Sequence, residues 1–123
     1  MVAIPSLDEL DLLHSHICTA VGDPKRIQIL YALYEQPRNV SALVEALATP
    51  QPTISRHLTV LRDRSIVVAK RDGQSVVYSL STPKIIEILD AMRQILRDSL
   101  DHKSNLLANE DSSEAITGET ITV

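Results

Sequence analysis

Gln51, Thr53, Ser55, Arg56 and His57 crowd into the stretch TPQPTISRHLTVL, residues 49–61. An amide, two hydroxyls, a guanidinium and an imidazole are groups that can read a nucleic acid. Glutamine pairs with an adenine edge, arginine with guanine, and hydroxyls bond either bases or phosphates. Taken singly, each has a plainer explanation: Thr53 and Ser55 as local caps at a helix start, His57 as a solvated side chain. What lies between them sets them apart. Ile54, Leu58 and Leu61 recur at spacings of four and three, so one helical face packs inward and the polar groups face out. Pro50 and Pro52 fix the entry of that helix, where backbone amides have no intrahelical acceptor to lose. The helix N-terminus itself favours phosphate. A second set follows: Lys70 and Arg71 before a Gly-containing turn, and Gln74 after it, where they can reach a neighbouring groove.

The elements that hold these groups are legible from periodicity and punctuation. Leu7, Leu10, Leu13, Ile17 and Val21 predict a first helix, opened by Pro5-Ser6 and closed by Gly22. Asp23-Pro24 is a cap followed by a residue suited to a first turn, and a second helix runs to Gln36-Pro37. Ser41 is the expected cap of a short third helix bearing Leu43, Val44 and Leu47. After Ala48-Thr49-Pro50 comes the fourth helix, from about Gln51 to Arg64. The period then changes to two: IVVAKR (66–71) and QSVVYSL (74–80) read as strands around Asp72-Gly73. Ser81-Thr82-Pro83 caps a last helix with an apolar seam over residues 85–100. The expected fold is mainly α with a small β-hairpin wing, a winged helix-turn-helix in the order ααααββα. One domain covers residues 1–107. Residues 108–123 are acidic and expected to be a disordered tail.

Net charge narrows the partner. The chain carries −4 overall. Between Pro24 and Gln74, however, eight Lys/Arg face four Asp/Glu, a local excess of +4, leaving −8 for the flanks. A basic centre points to an anionic partner for the centre. No apolar run approaches the roughly 20 residues of a membrane span. The N-terminus MVAIPSLDELDLL lacks a basic leader, and a lone cysteine excludes an internal disulfide framework, so a cytoplasmic protein is expected. An enzyme is disfavoured. Glycines stand only at Gly22, Gly73 and Gly118, too few for a phosphate loop, and Ser55 and His57 face different directions on their helix.

The blocks ICTAVGDPKRIQIL (17–30), VSALVEAL (40–47), PQPTISRHLTVLRDRSIV (50–67) and KRDGQSVVYSL (70–80) resemble the ArsR/SmtB family of bacterial winged-helix repressors. The resemblance covers over half the chain and implies a homodimer, joined by its first and last helices, that binds a promoter palindrome and is released by an inducer. Leu10, Leu13 and Ile17 on the first helix, with Ile85, Ile88, Leu89, Met92, Ile95 and Leu96 on the last, are the expected dimer residues. The seam on the last helix supports this independently, because so long a stripe needs a partner beyond a small wing domain. The runner-up is a winged-helix interaction module or co-regulator without its own inducer site. The polar and basic outer face of residues 51–64, with Gln51, Arg56, Arg62 and Arg64, argues against it.

The family's metal-sensing patterns do not map onto this chain. On the last helix Asp90 is followed by Met92, Lys103 and Leu106 where the other three ligands would stand. The third helix has no cysteine, and a two-cysteine switch is impossible with Cys18 alone. One thinner pattern remains in LHSHIC. His14 and Cys18 lie four apart and could bind a transition metal, completed by Asp98 or His102 of a partner. The competing reading is a small core thiol beside solvated histidines. No metal ligand is assigned, and the inducer is not legible.

Overall fold

Asp23 accepts hydrogen bonds from the amides of Lys25 (2.8 Å) and Arg26 (3.1 Å), which starts a helix at Pro24 as its residue type predicts. The computed structural model describes residues 3–112. Its helices are α1 (Leu7–Leu13), α2 (Pro24–Glu35), α3 (Val40–Leu47), α4 (Gln51–Asp63) and α5 (Lys84–Ser112), with a hairpin of β1 (Val67–Asp72) and β2 (Ser75–Leu80) between α4 and α5. The winged helix-turn-helix order is therefore present. Among the described residues, those up to Ile86 form one compact unit, and the part of α5 from Glu87 to Ser112 belongs to a second.

The core of the first unit is aliphatic, as a chain without phenylalanine or tryptophan requires. Ile29, Leu30 and Leu33 of α2 are buried with Leu43 of α3, Ile54, Leu58 and Leu61 of α4, and Val67 of β1. Each such side chain contributes about 1.5–3 kcal/mol on leaving water. The spacing of Ile54, Leu58 and Leu61 thus does what the sequence predicts.

Four local details differ from the sequence reading. The first helix is not continuous to Gly22: after α1 the chain passes through a π turn at His14–Cys18 and a 3-10 turn at Ala20–Gly22. Asn39, not Ser41, caps α3, its side chain accepting from the Ala42 amide at 2.8 Å. The cap moves because Arg38 exchanges both backbone bonds with Tyr78 of β2, at 3.1 and 2.8 Å, so the chain is still extended at Asn39. In the hairpin, Asp72 pairs with Ser75, which leaves Gly73-Gln74 as the two-residue loop. Gly73 sits at φ +66, where a side chain would be strained and a hairpin loop needs it. Finally, α5 runs to Ser112, so residues 108–112 of the expected tail are helical. The remainder of that tail, residues 113–123, lies outside the described residues.

Candidate nucleic-acid interface

The tight turn between α3 and α4 is made by Ala48, which takes the left-handed conformation at φ 48, ψ 48 and closes α3 through its amide to the Val44 carbonyl. Thr49 is buried behind it, donating to the Leu47 carbonyl (2.8 Å) and accepting from Lys25 Nζ (3.0 Å). The chain then enters α4 at Pro50. This fixes the angle at which the N-terminal end of α4 leaves the body.

On α4 the outer face carries Gln51, Pro52, Arg56, Thr59 and Arg62 exposed, with Thr53 and Ser55 half-buried. Gln51 Nε2 donates to Ser55 Oγ at 3.1 Å, one turn on, so the amide lies along the surface beside the hydroxyl. Thr59 Oγ1 in turn donates to the Ser55 carbonyl (3.0 Å). The face is therefore a file of small polar groups with two long cations, Arg56 beside Ser55 and Arg62 toward the far end. Thr59 belongs to the same file and was not among the sequence candidates. Its spacing of four from Ser55 was the available signal.

His57 is a correction. It is 7% exposed, on the inner side of α4. Three residues from Ile54 and four from Leu61, it shares their stripe, and only its polarity suggested otherwise. Arg26 Nη1 donates to His57 Nδ1 at 3.2 Å. A guanidinium has no acceptor, so Nδ1 is the bare nitrogen and the proton sits on Nε2, facing Asp23 Oδ1 at 4.0 Å. Burial pushes the His57 pKa down, Asp23 opposes this, and Arg26, Arg56 and Lys25 add to the lowering. The imidazole is neutral at pH 7. Asp23 is itself held below the usual carboxylate range, first by the Arg26 amide against some desolvation, then by the Lys25 amide, His57 and the Arg26 charge.

Arg64 also departs from expectation. It turns back from the end of α4 onto the carbonyls of Ser15 and His16 rather than joining the outer face. On the hairpin, Lys70, Arg71 and Gln74 are all exposed. Lys70 and Arg71 line an open cleft of about 410 Å³ with Pro37, Asp72, Val77 and Ser79.

The remaining candidates divide. Leu10, Leu13, Ile88, Met92, Ile95 and Leu96 are exposed apolar residues, and Ile17 is half-buried. Ile85 and Leu89 are instead buried within the single chain, so they are not part of its exposed apolar face. Cys18 is an exposed free thiol rather than a core residue. His14 and His102 are exposed, and Asp98 accepts from Gln94 Nε2 at 3.0 Å. Among the described residues no three His, Cys, Asp or Glu side chains gather as a metal site. No described helix is long and apolar enough to cross a membrane.

Comparison with known proteins places this geometry. Residues 23–68 match the family described as bacterial regulatory protein, arsR family. The nodulation protein NolR of Rhizobium meliloti is 35% identical over 83 residues, covering 68% of each chain. The HTH-type transcriptional repressor SmtB of Mycobacterium tuberculosis is 38% identical over 82 residues, 66% of this chain and 61% of the repressor. The crystal structure of M. tuberculosis Rv0081 superposes with a TM-score of 0.69 at 30% identity, over 82% of this chain and 99% of the other.

Proposed function

The chain belongs to the ArsR family of bacterial regulatory proteins, and from that premise we propose how this DNA-binding transcriptional regulator engages its operator. The N-terminal half of α4 enters a major groove, with Gln51, Thr53, Ser55 and Arg56 at the bases and neighbouring phosphates. Lys70, Arg71 and Gln74 of the hairpin lie along the adjacent backbone. Thr59 extends the file of contacts. The observation that carries this reading is the two-sidedness of α4: an inner stripe of Ile54, Leu58 and Leu61 that is at most 1% exposed, beneath an outer file of small polar groups with the exposed guanidiniums of Arg56 and Arg62.

The working form is a homodimer that represses from a palindrome. Ile88, Met92, Ile95 and Leu96 are each more than half exposed in the single chain and follow one another along α5. A second copy of the same face removes that apolar area from water. Two reading helices then meet half-sites about one helical turn apart, roughly 34–36 Å. Release follows binding of an inducer in the cytoplasm. Where that inducer is a transition metal, His14 and Cys18 are the side chains of this chain with suitable chemistry, with Asp98 or His102 of the partner copy completing the set.

Footprinting of the purified protein on its own upstream region tests this. Two protected half-sites one turn apart are expected. Protection of a single unpaired site, or of none, defeats the proposal.

A further inference from the structure

The chain between α1 and α2 breaks the regular helical ladder twice, at the π turn His14–Cys18 and the 3-10 turn Ala20–Gly22. Carbonyl oxygens at such a helix end carry partial negative charge and favour cationic donors. Two arginines from other elements supply them. Arg64, at the C-cap of α4, donates through Nη1 to the Ser15 carbonyl, to the His16 carbonyl at 3.1 Å and to Thr19 Oγ1 at 3.4 Å. Arg26, in the first turn of α2, donates through Nε to the Ala20 carbonyl at 2.6 Å and through Nη2 to the Thr19 carbonyl at 3.2 Å. Its third nitrogen, Nη1, holds His57 of α4.

The segment 14–20 is thereby joined to α4 at two places, directly at Arg64 and through Arg26 at His57, about two helical turns apart. Two separated attachments on one helix fix its tilt as well as its position. The same segment continues from α1, whose Leu10 and Leu13 are exposed. Charged donors on neutral acceptors form stronger bonds than neutral pairs. Rotating α4 away from the segment breaks several of them together.

We propose that Arg26 and Arg64 are positioning residues for DNA recognition: through them the 14–20 segment sets the orientation of α4, and neither side chain touches DNA. This rests on the DNA-binding reading above.

The test uses the full chain and a duplex of its own upstream region, with affinity read by fluorescence anisotropy across a salt series. Arg64→Ala binds about tenfold weaker than the wild type, with the slope of log affinity against log salt unchanged. Arg64→Lys keeps the charge, but its ammonium ends a shorter side chain and cannot take up the position from which Nη1 serves Ser15, His16 and Thr19, so its affinity falls between the two. A phosphate contact behaves differently, because losing it from both protomers makes the slope shallower by about 1.8. Wild-type affinity in both variants overturns the proposal, and so does a loss accompanied by a shallower slope. If Arg64→Ala does not fold, Arg64→Lys carries the test alone: weaker binding at unchanged slope supports it, and wild-type binding overturns it. A wild type that binds no duplex, even at low salt, refutes the DNA-binding reading itself and is recognisable before any variant is made.

Discussion

Salt should weaken operator binding steeply, by an amount set by which cations are free. Arg26, Arg38 and Arg64 are engaged inside the fold with backbone carbonyls. Arg56, Lys70 and Arg71 are exposed at the proposed interface, whereas Arg62 stands at the far end of α4, away from the N-terminal half that meets the groove. Three phosphate-neutralising cations per protomer make six in a dimer. Six displaced counterion sites give a slope of about −5 in log affinity against log salt. Between 50 and 200 mM salt that is a loss of about three orders of magnitude. Arg56→Ala removes two of the six and should bring the slope to about −3.6 while leaving the dimer intact, since its side chain is exposed on α4. The assay is anisotropy titration at five or more salt concentrations. A wild-type slope shallower than about −2, or an Arg56→Ala slope equal to the wild type's, refutes the assignment of these cations to DNA.

Three further outcomes are expected. Because the folded-state pKa of His57 lies below its ordinary value, the unfolded chain takes up the proton first, so stability is retained above about pH 6.5 and declines as the pH falls below it. The urea midpoint of His57→Gln should drop less than the wild type's between pH 7.5 and 5.5; equal drops would show that His57 is not the group titrating. Ala48→Gly relieves a left-handed backbone at φ 48 and should raise stability by about 1 kcal/mol by urea unfolding, whereas a loss would mean the methyl packs usefully. Ile95→Glu, on the exposed face of α5, should shift the protein toward monomer in sedimentation velocity and weaken operator binding with it; an undisturbed dimer would place the interface elsewhere.

What the sequence made legible was whatever depends on short spacings. The inner stripe of α4, the Asp23-Pro24 start and the change of period into the hairpin all involve residues within a turn or two of each other. The details it concealed depend on partners far away in the chain. His57 looked outward because histidine is polar; its acceptor role becomes visible only when Arg26, 31 residues earlier, is brought beside it. Arg64 looked like part of a basic face, and its acceptors stand 48 and 49 positions upstream. Asn39 displaced Ser41 as a cap because of a backbone bridge to Tyr78, which no local pattern announces. A lone cysteine beside Ile17 leaves a core thiol and a metal ligand both open in the sequence, and the exposure of Cys18 excludes only the core. Ile85 and Leu89 were counted with the dimer seam since a heptad-like spacing does not distinguish a face buried in one chain from a face waiting for another.

The central claim is that α4 reads a specific sequence. The most direct measurement compares affinity for a duplex from the protein's own upstream region with that for a scrambled duplex of equal length and composition, at one salt concentration near 150 mM. Binding to the native duplex at least about a thousandfold tighter, saturating at two chains per duplex, is what the polar file on α4 predicts. Equal affinity for both duplexes would leave only the electrostatic contact of a basic surface and contradict the account.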